Sequence, residues 1–423
     1  MGGSGRIRDA LGIIIPFRRA NALETTGIDT TAGQLEWLII GGGIHGVHIA
    51  ARLLGDAKVS RDRLRIVDPE PRLLGRWRAC TSTIGMTFLR SPSVHHLDLD
   101  AWSLRDFAGK GKNRRPGSFT LPYDRPSLEL FDAHCDKVID TFGLAELHVR
   151  DRAAACSVDC DRVGVELASG NSVAAVNIVL ALGSSEQPKW PGWAPRSDPR
   201  VQHIFDPAFD GWPTSPETVV VVGGGISAGH TALRLIAEGH QVHVVSRHAL
   251  REHQFDTDPG WLGPKYVESF RREQDVDRRR AVITKARYVG SVPPDVSRAI
   301  RRARGRGLLT WHEADVTSLG VYDDSIDVSL STSDTVSADR VLLATGFAGR
   351  RPGGSLVDNL VESASLPCAR CGYPIVDADL RWHPRVYVSG ALAELELGPS
   401  ARNIAGARRA ADRLVDSVRS VVT

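Results

Sequence analysis

The chain has little of what would set it apart from an ordinary globular protein. Six cysteines in 423 residues are too few for a disulfide scaffold. No apolar run approaches the roughly 20 residues of a membrane span. The apolar stretch Leu11 to Phe17 is short, has Arg on both sides, and is followed by no small-residue cleavage site, so it fails as a signal peptide or anchor. One-sided charge is also missing: the formal charge is +3, which excludes a dedicated nucleic-acid binder with its concentrated basic surface. Lysine is scarce, 7 of the 53 basic residues, leaving 46 Arg. Runs such as Arg278-Arg279-Arg280 are scattered and interrupted by acids, which reads as the usage of a GC-rich genome. With 42% hydrophobic residues the chain is not disordered, and its length suits two or three domains. The expected location is the cytoplasm, with neither nucleic acid nor membrane as partner.

What is present is an internal repeat. Leu35 to Ile40 is a strand-like run that leads into Gly41-Gly42-Gly43-Ile44-His45-Gly46, then a helical pattern, then a second strand Leu64 to Asp68. The same order recurs at Val219 to Val222, Gly223-Gly224-Gly225-Ile226-Ser227-Ala228, a helical pattern, and Val242 to Ser246. Each unit is followed by a small antiparallel meander and a buried strand ending in Gly, at Ile178–Gly183 and at Val341–Gly346. A third strand, Arg385 to Gly390, has no meander and precedes an amphipathic helix expected from about Ala401 to Val418; it reads as a return to the first domain.

The expected fold is therefore α/β, with two Rossmann-like dinucleotide-binding domains, the second inserted into the first. The expected boundaries are 1–34 for an N-terminal extension, 35–217 for the first part of the first domain, 218–335 for the inserted domain and 336–423 for the return segment of the first.

Each loop lies between an apolar strand and a helix, where a G-x-G-x-x-G pattern has a physical use. Gly41 permits the tight turn, Gly43 lets the backbone approach a pyrophosphate, and Gly46 allows close helix–strand packing. Helix N–H groups and the helix dipole then face the phosphates. Asp68 ends the second strand and can accept from a ribose diol, which suits FAD or NAD. In the second unit Gly223, Gly225 and Ala228 take the glycine positions, and Arg247 stands where the acid would be; a cation there accommodates the 2′-phosphate of NADPH.

At this point the chain resembles the two-dinucleotide-binding-domain flavoproteins, and within them the class B flavin monooxygenases, which include flavin-containing monooxygenases and ornithine/lysine N-hydroxylases. The resemblance spans about residues 35–415. Asp68 to Trp77 repeats the acid-to-tryptophan spacing of flavin-containing monooxygenases, with Leu74 in place of one glycine. Ala344-Thr345-Gly346-Phe347 matches their late Ala-Thr-Gly-aromatic motif, and Gly85 to Arg90 is similar to a Gly-Met…Phe-Leu-Lys stretch of the N-hydroxylases. His203 stands where a Phe-x-Gly-x-x-x-His fingerprint would end, without its Phe and Gly.

The resemblance implies FAD and NADPH as cofactors, O2 and a small molecule as substrates, and oxidation at nitrogen or sulfur through a C4a-hydroperoxyflavin. It implies cofactor contacts at Trp77, Gly346, Gly390, Gly398 and Arg402, and catalytic roles at Arg90, Ser91 and Asn403, with the last helix start facing the flavin pyrimidine. Self-association stays open.

The rival reading is an NAD(P)H-dependent flavoprotein disulfide reductase using the C-x-x-C pair Cys368 and Cys371. Those thiols lie between Gly346 and the last strand, outside the places where such reductases carry theirs. No metal is expected: Cys156 and Cys160 lie on a separate meander, and His45, His48, His95 and His96 read as packing or surface residues.

Overall fold

The computed structural model describes residues 34–422, apart from 110, 112–114 and 211. The expected extension 1–34 lies outside the described residues except for Gln34.

Each glycine loop is the centre of its own parallel sheet. In the first sheet the main strand order is Arg381–His383, Val386–Val388, Ser172–Leu180, Leu35–Ile40, Leu64–Asp68 and His148–Arg150. Leu35–Ile40 pairs in parallel with both neighbours, Ile39 lying opposite Ile66 on one side and Val179 on the other. The second sheet runs Leu309–Glu313, Gln241–Ser246, Thr218–Val222, Arg340–Leu343 and Val201–His203. Central parallel strands are covered on both faces, so they need unbroken apolar runs. Leu38, Ile39, Val219, Val220 and Val221 are all fully buried.

The two meanders form as expected, with a difference at their ends. Ala153–Val158 and Val163–Leu167 pair antiparallel and lead into Ser172–Leu180, one strand that serves both the meander and the parallel sheet. In the second copy Thr335–Ala338 closes the meander and Arg340–Leu343 is a separate strand in the second sheet. The return strand Val386–Val388 pairs in parallel with Ser172–Leu180, which puts the end of the chain back in the first domain.

The expected boundaries at 217/218 and 335/336 need correction. Val201–His203 and Arg340–Leu343, assigned above to the first domain, both belong to the second sheet, where Val341 pairs with Val220 and with Val201. The chain crosses between sheets before residue 201 and after residue 343. Parallel pairing partners lie far apart in sequence, and local composition does not mark these crossings.

Between Ser246 and Leu309 the second unit makes a helical excursion. Helices Pro264–Arg272 and Val276–Ala286 leave their own sheet and pack on the return segment. Trp261, Val267, Phe270 and Ile283 share a core with Ala369, Tyr373, Ala391 and Leu395. The excursion therefore joins the second unit to the return segment of the first.

Near the first loop, His48, His96 and His134 are buried and His95 is half-buried. His48 Nδ1 donates to the Leu97 carbonyl at 2.8 Å, His96 Nε2 to Ala101 O at 3.0 Å, and His134 Nε2 lies 2.9 Å from Ser103 Oγ. Burial holds His95 and His96 at about 4 and His134 at about 3, and pushes His48 well below its usual 6.5. The folded state thus binds fewer protons than the unfolded chain below pH 6.5, and stability is lost as pH falls from about 6.5 toward 4. At up to about 1.4 kcal/mol per pH unit for each imidazole, four of them give a loss of about 4 kcal/mol between pH 6.5 and 5.5. Urea unfolding across that range measures it, and a free energy flat down to pH 5 would contradict it.

Candidate functional site

The first loop is built on two approaches too close for a side chain. Gly41 has φ +111°, and a Cβ there would lie 2.5 Å from the Ala181 carbonyl oxygen. A Cβ on Gly46 would fall far inside contact distance of the Gly41 carbonyl oxygen. Gly43 is the opposite case: it precedes helix Ile44–Gly55 in an extended conformation, and a Cβ on it would meet nothing within 4 Å. The helix N-terminus has no side-chain cap, which leaves its N–H groups for an anion.

Asp68 braces this loop. Its Oδ2 accepts the Gly42 N–H at 2.6 Å and its Oδ1 the Glu70 N–H at 2.9 Å. His45 points across to the return segment, its Nδ1 2.7 Å from Ser389 Oγ and its ring about the Gly390 backbone. Burial lowers it to about 4, against the raising pull of the backbone at Arg402 and Asn403. His45 Nε2 is buried beside that backbone without a well-aligned hydrogen bond. An open anion cradle with a buried imidazole edge beside it fits the phosphates and polar ring edge of FAD.

The return segment supplies the facing wall. Gly390 and Gly398 both have positive φ, +64° and +84°. The last helix spans Ile404–Val422, not 401–418, and Asn403 Oδ1 caps it by accepting the Gly406 N–H at 3.0 Å. Arg402 therefore sits in the turn before the helix, where it holds Glu394 at 2.6 and 2.9 Å and the Tyr373 hydroxyl at 2.8 Å. Arg280, from the excursion, also pairs with Glu394, which is only 1% exposed. Burial alone would raise the Glu394 pKa; Arg402 and then Arg280 outweigh it and lower it. Nothing in the sequence signalled that the three would meet, because Arg280 comes from the excursion and only Glu394 and Arg402 are neighbours in the return segment.

The remaining expected residues are more dispersed. Trp77 packs on Phe131, with Nε1 3.3 Å from Asp132 Oδ1. Arg90 donates to the carbonyls of His253, Gln254 and Phe255 at 2.6–2.9 Å and to Ser291 Oγ at 2.9 Å. Its guanidinium clamps the excursion to the first domain, and Ser91 is half-buried beside it. Gly346, with φ +74°, accepts from His203 Nε2 at 3.1 Å and the Lys189 N–H at 2.9 Å, and Phe347 stacks on Phe205.

The second loop repeats the first with more room at its third position. Gly223 has φ +145° and again faces a carbonyl, that of Ala344, at 2.5 Å from a would-be Cβ. Ala228 is buried, and its methyl is 3.4 Å from a Cβ on Gly223, so alanine fits where Gly46 is obligatory. Close helix packing passes to Gly229, whose Cβ would press on Val296, Ile300 and Val292. Arg247 is 72% exposed at the strand end, 3.9 Å from Asp315. Cys368 and Cys371 are free thiols on a tight hairpin, with Arg351 beside the first and Arg280 Nε 3.4 Å from the second. Among the described residues no cluster of three His, Cys, Asp or Glu could hold a metal.

The family model described as FAD-NAD(P)-binding matches residues 38–185, and that described as pyridine nucleotide-disulphide oxidoreductase matches residues 134–285. No curated protein matches the sequence. Among solved structures, the ornithine N-hydroxylase of Kutzneria sp. 744 superimposes with a TM-score of 0.72 at 17% identity, covering 92% of this chain and 100% of that one. The ornithine hydroxylase of Pseudomonas aeruginosa gives 0.68 at 16% with the same coverage. The bacillithiol disulfide reductase of Bacillus cereus gives 0.61 at 17%, again over 92% and 100%.

The two glycine positions make a separable test. Gly43→Ala should leave stability close to wild type while weakening FAD binding about tenfold or more, since its methyl enters only the cradle. Gly46→Ala should cost about 1–3 kcal/mol or more of stability through overpacking. Thermal unfolding of the apoprotein and flavin titration measure both, and equal destabilisation by the two would refute the assignment of the cradle. With two glycine-loop sheets, two meanders and a return strand, the chain has the fold of the two-dinucleotide-binding-domain flavoproteins.

Proposed function

We propose that the chain is an FAD- and NADPH-dependent monooxygenase that oxidises a small molecule at nitrogen or sulfur. The observation that carries this reading is the open cradle at Gly43, roofed by a return segment whose polar groups converge on it, in a chain whose fold likeness to N-hydroxylases extends over nearly its whole length. Electron transfer and oxygen activation belong to the flavin when it is bound. The chain's own work is to bind and to shield. The Ile44 helix terminus takes the FAD pyrophosphate, and Asp68 is within reach of the adenosine ribose. The second loop, with Arg247 for the 2′-phosphate, takes NADPH. Trp261 and Phe270 pack over Gly398 and keep water from that wall of the site.

The reductase reading is weaker because of where its thiols lie. Cys371 contacts Arg280, Arg280 pairs with buried Glu394, Glu394 with Arg402, and Arg402 borders His45. That layer of side chains stands between the C-x-x-C hairpin and the cradle. No described helix is long and apolar enough to cross a membrane, and we read the enzyme as cytoplasmic.

Isotopically labelled O2 with NADPH and a panel of amine and thioether substrates tests this directly. One labelled oxygen atom should appear in product, and Cys368→Ser and Cys371→Ser should keep at least about half the activity. NADPH oxidation that needs a disulfide substrate and is abolished by either serine would replace the monooxygenase with the reductase.

A further inference from the structure

The two glycine loops differ in what faces them. A Cβ on Gly43 would meet open space, but one on Gly225 would lie 3.5 Å from the Gly290 Cα. Backbone therefore occupies the position from which a pyrophosphate would approach the second loop. Gly290 has φ +75°, and a Cβ on it would lie 2.5 Å from His248 Nε2. His248 in turn rests on the loop, its Cε1 2.8 Å from a would-be Cβ on Gly224. Gly290 and His248 thus close together over Gly224 and Gly225.

The anchors of this turn lie on the excursion and on the first domain. The Tyr288 N–H donates to Asp256 O at 2.8 Å, and its ring stacks on His253 with centroids 3.8 Å apart. The Ser291 hydroxyl donates to the Tyr288 carbonyl at 2.6 Å and accepts from Arg90 at 2.9 Å. Arg90 also holds the His253, Gln254 and Phe255 carbonyls, which follow the short strand Arg251–Glu252 of the excursion. Arg251 pairs with Ser291 and Thr257 with Arg287, so both arms of the excursion move together. At the tip Val289 is 69% exposed, an apolar side chain with no pocket of its own.

Behind the turn the interface between the domains is incompletely satisfied. Arg125 is 1% exposed and its Nη2 pairs with Asp295 Oδ1 at 3.0 Å, yet Arg125 Nε, His230 Nε2 and Ser297 Oγ lack a well-aligned hydrogen bond. Unpaired buried polar groups raise the free energy of the arrangement that contains them. A shift that hydrates or re-pairs them has a gain to draw on.

We infer that the Tyr288–Ser291 turn is a gate over the second glycine loop, latched from the first domain by Arg90, and that a pyridine dinucleotide binds by displacing it. The inference rests on the reading of the second loop as the NADPH site. Its consequence is communication: loss of the latch contacts on nucleotide binding is felt at Arg90, which directly follows the Met86–Leu89 stretch of the first domain. A binding-competent state populated only in part weakens the apparent affinity by its fraction, so loosening the latch tightens binding.

Hydrogen exchange on the flavin-loaded protein with and without NADP+ tests this. NADP+ should slow exchange at residues 223–229 and speed it at Tyr288–Ser291. Ser291→Ala removes one hydrogen bond to the latch and should lower the Kd for NADP+ about fivefold. Gly290→Ala, which drives a methyl against His248, should act in the same direction. Slower or unchanged exchange at Tyr288–Ser291 while residues 223–229 are protected would overturn the gate and leave the NADPH reading standing, as would unchanged or weaker binding in both variants. No protection of residues 223–229 in wild type or either variant would remove the NADPH site and the gate together.

Discussion

The crossing of Gly46 over the Gly41 carbonyl is the contact on which the arrangement of the first domain depends. It brings helix Ile44–Gly55 against its strand with no side chain between them. That closeness fixes where the helix begins, and hence where its unpaired N–H groups point. Gly43 is left facing open space because its neighbours at 41 and 46 carry the packing. Asp68 reinforces the same geometry by accepting the Gly42 N–H. An open helix terminus thus arises from a packing constraint, and Gly43 is the glycine of the loop that packing does not use.

The second unit shows the same design with the constraint relaxed. Ala228 replaces the obligatory glycine, and the close approach moves one residue on, to Gly229 against the helix Pro294–Gly305. That helix anchors the far arm of the excursion, whose other helices pack on the return segment around Tyr373 and Leu395. Buried Glu394, shared by Arg280 and Arg402, ties excursion and return segment by charge as well as by apolar contact. Breaking such a pair by removing one partner typically costs about 3–5 kcal/mol, which makes this junction rigid.

Local features were legible in the sequence because they are set by local rules. Strands Leu35–Ile40 and Leu64–Asp68 fall where their apolar runs end, and both glycine loops take the conformations their residues demand. Sheet membership was not legible at Val201–His203 and Arg340–Leu343, because a parallel partner is chosen by the whole fold and leaves no mark in the strand itself. The same holds for side chains with distant partners. Arg402 and Asn403 were singled out from the helix start, yet their roles as an ion-pair partner of Glu394 and a helix cap follow from contacts. Arg90 was singled out from the local Gly85–Arg90 stretch, which gives no sign of its acceptors at residues 253–255 and 291. Gly290 carried no signal at all; its meaning comes only from the loop it covers.

The central claim is that the first loop is a preformed cradle for FAD. The flavin content of the purified protein tests it most directly, by absorbance before and after incubation with added FAD. The account predicts a yellow protein that reaches one FAD per chain, released on denaturation. A colourless protein that takes up no added FAD would contradict it.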